Sequence, residues 1–173
     1  MSRIDIRPET PEDLDAIREV NRAAFEDHPH SQGTESLIVD ALRADGALDI
    51  SLVAVLHGAA VGHIAFSRAT VGETLFGWYL LGPLAVMPAY QDRGIGTALV
   101  EAGLVELRAL GALGCVLVGD PGYYGRFGFH AAAGLTYEGV PDRNVLVVTF
   151  VDSGPQGMIR AHEAFSMTLD GGA

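Results

Sequence analysis

The reading turns on Leu84-Ala85-Val86-Met87-Pro88-Ala89-Tyr90-Gln91-Asp92-Arg93-Gly94-Ile95-Gly96-Thr97-Ala98-Leu99. Its first four residues form an unbroken apolar run, as in a buried strand. From Gly94 to Leu110 the small and apolar positions Ile95, Leu99, Ala102, Gly103, Leu107 and Leu110 step at helical spacing, and Gly111 ends the pattern. The residues between are therefore a strand-to-helix turn. The first turn of a helix leaves backbone N–H groups without partners, and its dipole favours an anion. Gly94 and Gly96 remove side chains that would keep a phosphate away from those donors, and Arg93 adds a local positive charge. The stretch reads as a pyrophosphate cradle.

Upstream, Ile4 to Pro8 alternates as a short strand. Thr10-Pro11-Glu12-Asp13 opens a first helix with a Thr cap, Pro at its first position and early acids; Leu14, Ile17, Asn21, Ala24 and Phe25 continue it. His28-Pro29-His30 interrupts. Glu35 to Arg43 reads as a second helix closed near Gly46. Ser51 to Leu56 and Val61 to Ser67 are strands flanking the turn His57-Gly58-Ala59-Ala60. Trp78 to Met87 is a long strand broken at Gly82-Pro83. Proline cannot donate to a ladder, so the strand either bulges there or leaves its neighbour.

Downstream, Cys115 to Gly119 is a strand, and the Gly94 helix makes the crossover that sets it parallel to Leu84–Met87. Gly122 to Phe127 is a short helical turn, Val145 to Val151 a late strand, and Ala161 to Leu169 a last one. No linker or repeat divides the 173 residues, so one α/β (α+β) domain with a mixed sheet is expected over 1–173, its core at about 3–151.

Charge and composition exclude several classes. Twenty-two acidic residues face 11 basic ones, for a net charge of −11, and there is neither a lysine nor an arginine cluster to follow a nucleic-acid backbone. Cys115 is the only cysteine, which rules out an intrachain disulfide and a cysteine-based metal site; within its apolar run it reads as a small buried hydrophobe. His28 and His30 lack a third zinc ligand, so no metal is expected. His63, on an apolar strand, reads as a hydrogen-bonded core histidine. The N-terminus has no signal-peptide core and no apolar run reaches the roughly 20 residues of a spanning helix, so a cytoplasmic protein without membrane contact is expected.

Among phosphate motifs, a P-loop would need Gly-Lys-Ser/Thr, which a lysine-free chain does not have. A dinucleotide fingerprint would need a small residue where Leu99 stands. The Gln-x-x-Gly-x-Gly turn of acetyl-CoA-dependent acetyltransferases matches at Gln91, Gly94 and Gly96. With it, Tyr123-Tyr124-Gly125-Arg126-Phe127-Gly128-Phe129 looks like a Tyr-x-x-x-Gly-Phe motif. Together, Leu84 to Ala98 and Tyr123 to Phe129 resemble the GNAT superfamily of N-acetyltransferases, and Ile6-Arg7-Pro8 with Pro11-Glu12-Asp13 is similar to its usual opening. The resemblance covers about four-fifths of the chain, residues 152–173 matching least. Gly119-Asp120-Pro121 is similar to a bacterial branch of predicted N-acetyltransferases whose acceptors are uncharacterised.

The resemblance implies a mostly antiparallel mixed sheet flanked by helices, with a central parallel pair that splays to admit the pantetheine arm of acetyl-CoA. Main-chain groups around Leu84, Ala85 and Val86 would bind the arm. Gln91, Asp92, Arg93, Gly94, Ile95, Gly96, Thr97 and Ala98 would form the pyrophosphate site, with amides from Arg93 through Ala98 as donors. Tyr124 would donate a hydrogen bond to the departing thiolate, its neighbour Tyr123 being the rival. The acceptor would be a primary amine, on a small molecule or a protein. Such an ammonium, with pKa near ~10.4, is only about 0.04% neutral at pH 7, so a base is needed. Relatives carry a Glu on the strand before the glycine turn, where this chain has Gly82-Pro83-Leu84-Ala85-Val86. Glu26, Asp27, His28, Glu35 and Asp120 are the candidates instead. A non-catalytic acyl-CoA-binding or sensing domain is the alternative reading, and a homodimer is an analogy with similar proteins.

Overall fold

The computed structural model describes residues 3–28, 31 and 33–166. Strand β1 (Asp5–Pro8) leads through a 3-10 turn (Pro11–Asp13) into helix α1 (Leu14–Phe25), and α2 (Glu35–Ala44) follows. The expected N-terminal cap belongs to the 3-10 turn, where the Asp13 carboxylate accepts from the Thr10 amide (2.7 Å) and from Arg7 (2.7 Å). Strands β2 (Leu48–Leu56), β3 (Ala59–Val71) and β4 (Thr74–Val86) form an antiparallel meander. His57 and Gly58, with φ of 52° and 80°, make the two-residue turn between β2 and β3.

Helix α3 (Ile95–Ala109) crosses over to β5 (Gly114–Val118), followed by the short helix α4 (Pro121–Tyr124). Strands β6 (His130–Ala131), β7 (Leu135–Thr136), β8 (Val145–Thr149) and β9 (Gly157–Arg160) complete the chain. The sheet order is β1-β2-β3-β4-β5-β8-β6, with β9 against the end of β3 and β7 beside β9. All pairings are antiparallel except β4 with β5 and β7 with β9.

Three expectations change. β3 and β4 run on past Ser67 and start before Trp78, meeting at a hairpin around Gly72-Glu73, because Val71 and Trp78 bury into a second small core with Leu80, Val116 and Ile159. The last strand is Gly157–Arg160, not Ala161–Leu169: Glu163–Ser166 is a 3-10 turn, and Met167 to Leu169 lie outside the described residues, as do Pro29 and His30. Strands β6 and β7, of two residues each, have no alternation long enough to read.

The two sheet faces are sorted by the period of two. Ile50, Leu52, Ala54, Ile64 and Phe66 face α3, whose Ile95, Leu99, Val100, Leu104 and Leu107 fill the main core. Gly103 is required for this approach: a β-carbon there would lie 2.2 Å from Cε1 of the fully buried Phe66. Val53 faces the other way, onto Ile17 and Val39 of α1 and α2.

On that second face His63 is fully buried, as the sequence suggests, and hydrogen-bonded at both nitrogens. Nε2 is 2.8 Å from Ser51 Oγ and Nδ1 is 3.2 Å from Asn21 Nδ2. The Ser51 hydroxyl donates to Glu9, whose carboxylate is also held by Arg43 at 2.9 Å. Since the one Ser51 proton goes to the carboxylate, Ser51 accepts from Nε2–H, and Nδ1 accepts from the Asn21 amide. Burial pushes the imidazole pKa down to about 4, with Glu9 opposing and Arg43 adding to the shift. His63 is a neutral rivet between β3, β2 and α1.

Candidate active site

β4 and β5 pair only at Trp78↔Gly114, Tyr79↔Cys115 and Leu80↔Val116. Beyond that point β4 carries a bulge at Gly82-Pro83: three steps on β4, from Leu81 to Leu84, answer two on β3, from Phe66 to Ile64. Leu84–Val86 stays bonded to β3, and Leu117 and Val118 stay bonded to β8. A gap therefore opens at the carboxyl ends of two parallel strands, the usual place for a ligand in such sheets.

The strand register says which groups line it. The Met87 N–H donates to the Val61 carbonyl at 2.8 Å, so Met87 and Ala85 turn their main-chain groups toward β3. Leu84 and Val86, one step out of phase, turn theirs toward the gap. Ala85 is thus excluded as a main-chain donor to the gap, and its side chain is buried. The Gln91 amide donates to the Val86 carbonyl at 3.0 Å, so this side chain ties the loop to the strand end.

Helix α3 begins at the mouth of the gap. Gly94, with φ of 82°, is its N-cap and supplies no side-chain cap. Asp92 is also left-handed, with φ of 63°, which turns the loop sharply before the helix. The first satisfied amide is that of Ala98, which donates to Gly94 O at 3.0 Å. The Ala98 donor is therefore spent inside the helix, contrary to expectation, while amides from Asp92 through Thr97 donate to no described group. The Ile95 side chain is buried against Gly62, so Ile95 offers only its backbone. Arg93 is exposed, its guanidinium carbon 5.4 Å above the Tyr90 ring.

The tyrosines come from the turn after β5. Asp120 accepts from the Gly122 amide at 2.9 Å and caps α4. Gly119 lets the Tyr124 ring lie against the end of β5, since a β-carbon there would sit 2.7 Å from Tyr124 Cε2. Phe129 packs edge-on at 5.9 Å. Burial first, then Tyr123 and Cys115, raise the Tyr124 phenol well above its ordinary pKa, so it stays protonated. Its hydroxyl donates to no described residue. Tyr123 points elsewhere: a β-carbon on Gly96 would lie 2.8 Å from the Tyr123 hydroxyl oxygen, which places that hydroxyl at the first turn of α3. The two neighbours thus divide the site, Tyr124 at the strand end and Tyr123 at the helix start. Tyr-x-x-x-Gly-Phe spacing marks only the first; the second follows from which way α4 turns.

Residues 14–129, more than half of the chain, match the Acetyltransferase (GNAT) family. The chain belongs to the GNAT family. This GNAT chain is 38% identical to the uncharacterized N-acetyltransferase YhbS of Escherichia coli over 129 residues, 74% of each protein. A solved GNAT family acetyltransferase from Brucella melitensis, in complex with acetyl-CoA, is 46% identical with a TM-score of 0.85, covering 94% of this chain and 98% of that one. YhbS itself, solved with CoA, gives 34% identity and a TM-score of 0.88 over 96% of this chain and 94% of that one. The chain is accordingly an N-acetyltransferase of the GNAT type, and its splayed sheet is that family's fold.

The base candidates are scattered across this GNAT fold. Glu26 pairs with Arg22 at 3.3 Å, and Glu35 accepts from the Ser31 hydroxyl at 2.7 Å. Asp27 and His28 are exposed just after α1. Asp120 alone shares a turn with Tyr124, whose amide donates to its carbonyl at 3.0 Å. A cavity of about 290 Å³ lined by Glu9, Arg43 and Ser51 lies at the start of β2, and its polar groups are spent on one another. Among the described residues, no cluster of His, Cys, Asp and Glu could hold a metal ion, and no helix is long and apolar enough to cross a membrane.

Proposed function

We propose that this chain moves an acetyl group from acetyl-CoA to a primary amine by direct attack. The observation that carries the reading is the run of unspent amides from Asp92 to Thr97 beside the interrupted β4–β5 ladder. Those amides and the α3 dipole suit the diphosphate, and Leu84 and Val86 offer the pantetheine arm the ladder that β5 does not. An N–H of Leu84 or Val86 polarises the thioester carbonyl as the amine attacks its carbon.

Tyr124 donates to the sulfur as the C–S bond breaks. An ordinary phenol at ~10 against a thiol at ~8.5 makes full proton transfer uphill by about 2 kcal/mol, and the burial of Tyr124 adds to that. A hydrogen bond to a developing thiolate is therefore its role. Cys115 forms no acyl intermediate, because its thiol is fully buried and its pKa is raised by that burial. The amine proton goes to a base drawn from Glu26, Asp27, His28, Glu35 and Asp120. The acceptor is a small-molecule or protein amine, and the enzyme works as a single cytoplasmic domain.

Thiol release from acetyl-CoA across a panel of amines tests the reading. A confirmed acceptor with Tyr124→Phe lowering turnover at unchanged CoA affinity is the expected result. Tight CoA binding with no thiol release for any amine would favour a non-catalytic sensor, and full turnover by Tyr124→Phe would remove the thiolate role.

A further inference from the structure

Of the 11 arginines, five are held by a carboxylate among the described residues and six are not, so what sets Arg126 apart is where it stands. The five are Arg7, Arg18, Arg22, Arg43 and Arg68. Among the described residues no carboxylate pairs with Arg126. Its guanidinium carbon lies 4.5 Å above the Tyr123 ring, and its Nε donates to the Tyr123 carbonyl at 2.9 Å. Those two contacts fix the plane of the guanidinium and use one of its five donors, leaving the terminal N–H groups exposed. The same Tyr123 ring carries its hydroxyl to Gly96, so Arg126 stands one aromatic ring away from the start of α3. Arg93, which also has no carboxylate partner among the described residues, stacks on Tyr90 within the loop that leads into that helix.

We propose that Arg126 binds the ribose 3′-phosphate of the cofactor and so makes the enzyme selective for CoA over 3′-dephospho-CoA. The proposal rests on the acetyl-CoA reading above. CoA carries three phosphates. The two in the diphosphate are matched by the α3 amides, which leave the third without a partner. That third group is a phosphate monoester, terminal and dianionic near pH 7. A planar guanidinium with free terminal N–H groups is the side chain whose geometry fits it, as a bidentate partner. Stacking on Tyr123 holds the fork in place before the ligand arrives, so little side-chain freedom is lost on binding. Tyr123 thereby serves two phosphate subsites, with its hydroxyl at one and its ring beneath the other.

Calorimetric titration of the full chain with CoA and with 3′-dephospho-CoA tests this, using wild type, Arg126→Ala and Arg126→Gln. Arg126 is exposed, so both variants should melt with the wild type. The expected result is an approximately tenfold weaker Kd for CoA in both variants, with 3′-dephospho-CoA unchanged. An equal loss for both ligands would overturn the proposal, because Arg126 would then act on the diphosphate or through Tyr123. No loss for either would overturn it as well. Wild type binding neither ligand would instead overturn the cofactor reading on which the proposal stands.

Discussion

Placing a carboxylate at Gly96 tests the anion site at its centre. Gly96 has ordinary helical backbone, so a side chain is not forbidden by φ; what it would meet decides the outcome. A β-carbon there lies 2.8 Å from the Tyr123 hydroxyl and 3.9 Å from Val86 Cγ2. The hydroxyl is the far end of a partly exposed ring and can yield, so Gly96→Ala should fold. In Gly96→Glu the new charge stands among the unspent amides proposed to hold the diphosphate. Against two phosphate charges at about 5 Å in a water-like dielectric, the repulsion is about 2 kcal/mol. That corresponds to roughly a 30-fold weaker Kd for CoA at low salt, before any steric loss. Gly96→Ala carries no charge, so its loss should be smaller. Isothermal titration reads the affinities, and melting without ligand reads the fold. A folded Gly96→Glu that binds CoA within about twofold of wild type would refute the placement of the cofactor at this helix start.

Three further outcomes follow from the packing. Gly103→Ala should lose about 1–3 kcal/mol and melt earlier, because the new methyl would overlap Phe66 in a closed core; an unchanged Tm would mean that α3 can slide. Gln91→Ala removes the bond to the Val86 carbonyl at an exposed site, so CoA should bind several-fold more weakly with almost no change in Tm, as titration and melting would report. The third concerns pH. His63 is held neutral with a folded pKa of about 4, below the unfolded value of about 6.5, so the unfolded chain binds the extra proton between them. Stability is complete above about pH 6.5 and falls by about 3 kcal/mol as pH drops toward 4. Urea melts across that range should show a shallower slope in His63→Gln, and parallel slopes would exclude His63 as the cause.

What could be read from the chain was whatever is written locally. Gly94 and Gly96 after an apolar strand specify an uncapped helix start, and Pro83 within Leu80–Met87 announces a break in pairing. The Tyr124-to-Phe129 spacing marks one aromatic. What could not be read depends on tertiary placement. The β3–β4 extension is masked by exposed residues such as Arg68, Leu75 and Phe76 around a Gly72 turn, and β9 is four residues long and defined only by its contact with Thr70 and Val71. Spacing singles out Tyr124 but does not say where Tyr123 points, since the two rings diverge only once α4 is oriented. The spent amide of Ala98 is a matter of one turn of helix, finer than any motif.

The bulge at Gly82-Pro83 also bears on how the protein endures heat. A sheet slit down its middle has two interior margins that solvent can enter, and each is fastened from one side only. A ligand whose own amides bridge the slit knits those margins into a continuous fabric, so its free energy of association is added to that of the native state. Saturating thioester should therefore raise the midpoint of thermal denaturation in proportion to the logarithm of its concentration, and the unliganded form should be the one that proteases open first, at Leu84–Met87.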